Sequence, residues 1–192
     1  MKYYIYIFRH GETYFNKKHI FTGLKDSKLT SKGINQSKII AKKLKNKKIG
    51  IAIQTSLSRS KDSLKEVLKF HPECKKIITD NKIIERRYGK LEGLHHDAII
   101  KKYGKKQFYL WHRGFNKRPP EGESFNDVEK RVRNFITELK KIIQKEKTNV
   151  VISAHGNSIR LFRKIMEKQP KEKVVKWFIP YDKVFVYSVN VR

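Results

Sequence analysis

Arg9-His10-Gly11-Glu12 follows directly on the apolar run 3–8 and sets a nucleophile beside a permanent cation. A neutral imidazole attacks phosphorus without a base to strip a proton first, because its ordinary pKa is ~6.5. A second histidine, His155 in Ser153-Ala154-His155-Gly156-Asn157, follows another apolar run, 149–152. Two histidines that each end an expected strand, and are each followed within a residue by glycine, predict one site at the carboxyl edge of a sheet. The chemistry that suits such a site is phosphoryl transfer through a phosphorylated histidine.

The transition state of that reaction spreads negative charge over three equatorial oxygens, so fixed donors and cations must surround them. Arg9, Arg59 and His155 are the candidates. Arg59 lies in Thr55-Ser56-Leu57-Ser58-Arg59-Ser60, just past the expected second strand, where a helix start adds backbone donors. Gly156 and Asn157 open a helix after His155 and offer the same kind of anion pocket. A carboxyl group must protonate the leaving oxygen, and Glu85 in Ile83-Ile84-Glu85-Arg86-Arg87-Tyr88-Gly89 is the candidate. No His-Glu-x-x-His or paired-cysteine spacing occurs, and the cluster His95-His96-Asp97 alone is weak, so no metal is expected.

Positioning these residues requires alternating strands and helices. Strands are expected at 3–8, 50–54, 76–79, 150–153 and 183–189, the last alternating and at an edge. Thr30 caps a helix over 31–47 with Ile34, Ile40, Ala41 and Leu44 inward, and a second helix spans 57–70. Ser124 and Asp127 resemble a capping box before a long amphipathic helix, and another helix covers 157–166. Between them, 85–120 reads as an insertion over the site, with a helix at 97–102 and a loop at 111–120. This predicts a single α/β domain over 1–192: a three-layer α/β/α sandwich on a mostly parallel sheet with one antiparallel edge strand.

Composition narrows the class. No apolar run approaches the ~20 residues of a membrane helix, and residues 1–5 do not read as a signal peptide. One cysteine, Cys74, fits a reducing interior, so a cytoplasmic location is expected. The net charge of +28 raises nucleic acid as a partner, but the lysines are spread along polar helix positions, as on a solvated face. A positive field that steers a small anionic substrate is the milder functional reading.

Taken together, Arg9-His10-Gly11-Glu12-Thr13, Phe21-Thr22-Gly23, Thr55-Ser56-x-x-x-Arg59, Glu85-Arg86-x-Tyr88-Gly89 and Ser153-Ala154-His155-Gly156-Asn157-Ser158-x-Arg160 resemble the histidine phosphatase superfamily in order and spacing. Within it the pattern is most similar to the cofactor-dependent phosphoglycerate mutases. The resemblance implies His10 as the phosphorylated residue, Glu85 as proton donor and acceptor, and Arg9, Arg59 and His155 as the phosphate pocket. Asn16, Thr22, Gly23, Gly156 and Asn157 would complete it, with Tyr88, His96, His112 and Arg113 as further substrate-binding residues. The segment 111–115 followed by Arg118-Pro119-Pro120 resembles the mutase element that holds the rest of a phosphoglycerate.

Three departures stand beside that likeness. Mutases carry a lysine at the position of His96 and two arginines at His112-Arg113, so two permanent cations become titratable here. The third is length, because Pro120 runs straight into Glu121-Gly122-Glu123-Ser124 where mutases have a longer insertion. The implied activity is interconversion of 3- and 2-phosphoglycerate, with 2,3-bisphosphoglycerate as phosphoryl primer and no metal. The alternative is a metal-independent phosphatase acting on small phosphomonoesters, and a remote one is a basic nucleic-acid binder with an inactive site. The expected partner is a small phosphorylated anion, with a homo-oligomer left open.

Overall fold

The computed structural model describes residues 1–191. Five strands form one sheet: β1 (Lys2–Arg9), β2 (Ile51–Gln54), β3 (Lys76–Thr79), β4 (Val150–Ala154) and β5 (Val184–Asn190), in the order β3-β2-β4-β1-β5. All pairings are parallel except β1 with β5, which is antiparallel at the edge. The helices are α1 (Tyr14–Lys17), α2 (Ser31–Leu44), α3 (Ser58–Leu68), α4 (His96–Arg113), α5 (Phe125–Glu146), α6 (Gly156–Met166) and α7 (Lys171–Val174). No described helix is long and apolar enough to cross a membrane.

Strand alternation builds two cores from one sheet. Ile5, Ile7, Ile53 and Ile152 point to the face covered by α5 and α6, where they meet Val132, Phe135 and Phe162. Tyr6, Phe8, Ala52 and Val151 point to the other face and meet Ile40, Leu44, Leu64 and Val67 of α2 and α3. The central strands therefore read as nearly unbroken apolar runs, as a sheet covered on both faces requires.

Caps fix the helix starts. The Thr30 side chain accepts from the Gly33 amide, and Ser124 and Asp127 form the expected capping box at α5. Two expectations on the second and fourth helices differ from the structure. Ile34 is exposed, because the inward stripe of α2 begins with small residues, Gly33 and Ser37, where the loop at Gly11 and Glu12 lies against it. The region 111–113 is helical rather than loop: α4 continues past Gly104, whose φ of +80° makes a kink. The second half is held by Phe108 and Trp111 against the small core of Phe21, Tyr88, Leu91 and Ile99. Buried Arg86 staples its end by donating to the carbonyls of Trp111 and His112 and to Glu123 O.

The approach of Gly11 and Gly33 seats the loop that carries His10. A Cβ on Gly33 would come within 2.1 Å of Glu12 O, and one on Gly11 within 2.1 Å of Gly33 O. Gly33→Ala should therefore destabilise the fold by about 1–3 kcal/mol and lower the thermal midpoint by several degrees. An unchanged midpoint in calorimetry would show that the loop yields freely.

Candidate active site

The two histidines meet because their strands pair. Arg9 stands opposite Ala154 in the parallel register, and the His10 amide donates to Ala154 O at 3.0 Å. The His10 and His155 rings lie 5.1 Å apart between centroids, both buried. His10 Nδ1 is 2.7 Å from Gly11 O. A carbonyl only accepts, so Nδ1 carries the hydrogen and Nε2 keeps the lone pair for attack. His155 Nε2 lies 2.9 Å from Thr55 Oγ1, at the end of β2, while its Nδ1 is buried without a partner. With the Thr55 hydroxyl donating into Nε2, Nδ1–H becomes a free donor beside His10.

Arg59 sits on the first turn of α3 and Arg9 at the end of β1, and each is held by backbone carbonyls. Arg59 donates to Lys25 O (2.9 Å) and Gly23 O (2.7 Å), and Arg9 to Ile179 O (3.0 Å). The Nε of each is buried and unpartnered. A buried donor left unmade costs about 1–3 kcal/mol. His155 Nδ1 and Arg113 Nη1 are likewise buried without partners, so four polar atoms of Arg9, Arg59, His155 and Arg113 are left for an acceptor to satisfy. Burial, and then the charges of Arg59 and Arg9, hold His10 well below its ordinary pKa, so it is neutral at neutral pH. Burial and Arg59 do the same to His155.

Glu85 lies in the same cleft, its Oε1 accepting from the amides of Arg86 (2.8 Å) and Asn157 (3.1 Å). The cleft encloses about 280 Å³. Asn16, Thr22, Gly23, Tyr88, His96, His112, Arg113, Gly156 and Asn157 all line it with His10, Arg9 and Arg59. The Asn16 carbonyl is committed to the Thr13 amide (3.1 Å), which leaves its amide nitrogen for a ligand. Tyr88 Oη receives the Asn157 Nδ2 hydrogen (3.2 Å) and fixes that side chain at the start of α6.

His96 and His112, the two titratable positions, both lie below the ordinary histidine range. Burial, then His19, lowers His96 to about 4. Burial, then Arg113, lowers His112 to about 2. Both rings pack on Phe21, with centroids 4.4 and 5.6 Å from it. Arg118 is spent on the surface, paired with Asp127 at 2.6 Å. The candidate set also lacked Arg160, which lines the cleft three residues beyond Asn157 on α6 and could have been found by helical spacing. Phe178 and Tyr181 line it too, from the irregular segment before β5, where the local sequence carries no signal.

These histidines make stability depend on acidity. The folded state holds His10, His96, His112 and His155 neutral, while the unfolded chain protonates them near ~6.5. The unfolded state then binds more protons, so stability is lost as pH falls below about 6.5. Urea midpoints should drop between about pH 7 and about pH 5, and inorganic phosphate should restore part of the loss. Midpoints insensitive to both would contradict this electrostatic picture.

Comparison with known proteins agrees with the geometry. The pattern of the histidine phosphatase superfamily (branch 1) matches residues 5–190. A phosphoglycerate mutase of Schizosaccharomyces pombe is 36% identical over 187 residues, which cover 95% of this chain and 88% of that protein. A 2,3-bisphosphoglycerate-dependent phosphoglycerate mutase of Mesorhizobium japonicum is 33% identical, covering 95% and 90%. In structure, the mycobacterial glucosyl-3-phosphoglycerate phosphatase shares the fold, with a TM-score of 0.79 at 23% identity over 91% of this chain and 84% of that one. With its paired histidines, its carbonyl-tethered arginines and this match along nearly its whole length, the chain belongs to the histidine phosphatase superfamily.

Proposed function

We propose that the protein is a 2,3-bisphosphoglycerate-dependent phosphoglycerate mutase working through phospho-His10. His10 Nε2 attacks the phosphorus, and Arg9, Arg59 and His155 Nδ1–H bind the oxygens on which charge gathers. Glu85 gives its proton to the leaving oxygen and takes one back from the hydroxyl that receives the phosphoryl group. 2,3-Bisphosphoglycerate would supply the phosphoryl group that primes His10, and the unpartnered donors around His10 fit its phosphate. A cytoplasmic setting is part of the proposal.

The observation that carries the mutase reading is Arg113. Its buried Nη1 has no partner, and it lines the same cleft as the phosphate pocket, with Arg160 beside it. That makes a second anion subsite, which a phosphoglycerate fills and a simple monoester does not. The relatives at 33–36% identity that bear the mutase name support the same reading.

Hydrolysis is the second reading, favoured by one pair of residues. His96 and His112, neutral here, withhold two charges from a bisphosphate, and the short passage from Pro120 to Ser124 leaves fewer elements to close over the phosphoenzyme.

With 3-phosphoglycerate and catalytic 2,3-bisphosphoglycerate, 2-phosphoglycerate should form faster than inorganic phosphate. Faster phosphate release would make the enzyme a phosphatase. Arg113→Met should lower mutase kcat/KM about 10- to 100-fold, the value of one charge-assisted hydrogen bond. An Arg113→Met enzyme with full mutase activity would remove the second subsite.

A further inference from the structure

His10 Nε2 has a lone pair to attack with only while Nδ1 carries the ring hydrogen. Nδ1 carries it because Gly11 O lies 2.7 Å away and can only accept. That carbonyl belongs to the peptide joining Gly11 to Glu12, so whatever fixes the plane of this peptide fixes the tautomer. The peptides on either side are well anchored: the Gly11 amide donates to Ser63 Oγ (3.0 Å), and Glu12 O accepts from the Thr30 amide (2.9 Å). Ser63 Oγ is in turn 3.0 Å from Ser37 Oγ, which donates to Gly33 O at 3.0 Å, so the first anchor is tied to both α2 and α3. The Gly11–Glu12 peptide has a different hold. Its N–H, on Glu12, donates to Gln36 Oε1 of α2 at 2.8 Å, and among the described residues nothing else outside the loop bonds to it.

We infer that Gln36 is a positioning residue for the nucleophile: it holds the Gly11–Glu12 peptide so that His10 Nδ1–H keeps its acceptor and Nε2 keeps its lone pair. An N–H only donates, so Gln36 presents its side-chain oxygen to Glu12. A peptide whose N–H is bonded has a more strongly polarised C=O, so the bond at Gln36 strengthens the one at Nδ1. Gly11 has no Cβ to resist a turn of its peptide plane. A turned plane takes the carbonyl away from Nδ1, and an imidazole without that acceptor is free to carry its hydrogen on Nε2, where attack needs a lone pair. The demand grows during reaction. The Nε2 pair forms the P–N bond as the P–O bond to the leaving oxygen breaks, and that oxygen takes its electron pair and the Glu85 proton. The ring thereby gains positive charge, and the bond from Nδ1 to Gly11 O becomes charge-assisted. Gln36 therefore contributes more in the transition state than in the resting enzyme, which places its effect in kcat rather than KM. This rests on the phospho-His10 reading and not on the choice between mutase and phosphatase.

Gln36 is half-buried on α2. Gln36→Met keeps its length and its helix propensity but removes the acceptor, and Gln36→Glu keeps an acceptor oxygen. The position of the His10 ring hydrogen is read by NMR of enzyme labelled with 15N-histidine, with His10→Ala identifying the signals. Phosphorylation of His10 by 2,3-bisphosphoglycerate is followed beside turnover of 3-phosphoglycerate, counted as 2-phosphoglycerate plus inorganic phosphate. The wild-type ring should carry its hydrogen on Nδ1. In Gln36→Met a measurable share should move to Nε2, and phosphorylation and kcat should fall about tenfold, the loss expected of one such hydrogen bond, with KM held within about twofold. Gln36→Glu should recover most of the rate and the Nδ1–H form. A merely structural role would lower the thermal midpoint and leave the hydrogen on Nδ1. A Gln36→Met ring with its hydrogen still wholly on Nδ1, an unchanged rate, or a Gln36→Glu enzyme as slow as Gln36→Met would each overturn this role of Gln36 while leaving phospho-His10 intact. A phosphoryl group carried by another residue of the wild-type enzyme would instead overturn the phosphohistidine reading itself, whatever the spectra show.

Discussion

The parallel ladder between β1 and β4 is the constraint on which the site depends. It pairs Ile5 with Val150 through Arg9 with Ala154, and its last bond, from the His10 amide to Ala154 O, sets the two histidine rings 5.1 Å apart. A slip of one residue would move His10 along the strand by about 3.3 Å and turn every side chain of β1 to the opposite face. Both faces are buried, with Ile5 and Ile7 against α5 and α6 and Tyr6 and Phe8 against α2 and α3, so the core holds the register that catalysis needs. Residues 145 apart in the chain become neighbours through this ladder and the apolar packing that fixes its register.

Arginine is used in two ways within this frame. Arg86 is buried and spends its guanidinium on the carbonyls of Trp111, His112 and Glu123, so it is a structural tie for the end of α4. Arg9 and Arg59 are positioned by carbonyls too, but each keeps a buried Nε without an acceptor. Carbonyl tethers fix a guanidinium without neutralising its charge, and the nearest carboxylate to Arg59, Asp26, stands off at 3.7 Å. The fold thereby holds cations ready for an anion and bears the cost in stability, a trade common to active sites. Burial first, and then the same field, keeps His10 and His155 neutral.

Much of this was legible in the sequence, for physical reasons. The apolar runs at 3–8 and 149–152 mark strands buried on both faces, and Thr30 and Ser124 mark helix starts through hydroxyls that accept amide hydrogens. His10, His155 and Arg59 stand just past strand ends, where an α/β sheet gathers ligands; His10 and Arg59 line the cleft with Glu85, and the fully buried His155 ring lies 5.1 Å from His10. The rest depends on contacts distant in sequence. The expected helix ends at 102, yet Phe108 and Trp111 hold α4 beyond Gly104 by packing on Phe21, Tyr88 and Leu91. The charge of His96 and His112 follows from burial against Phe21 and Arg113, which residue type alone does not reveal. The segment bearing Phe178 and Tyr181 has no periodicity, and only the tethers from Arg9 and Arg160 bring it to the cleft.

The central claim is that His10 Nε2 carries the phosphoryl group. Reaction with 2,3-bisphosphoglycerate, followed by intact mass measurement and peptide mapping under alkaline conditions that preserve phosphohistidine, tests it most directly. The expected result is a mass increase of one phosphoryl group on the peptide containing His10, at Nε2, discharged by added 3-phosphoglycerate. A phosphoryl group on any other residue, or none on His10 while the enzyme turns over, would contradict it.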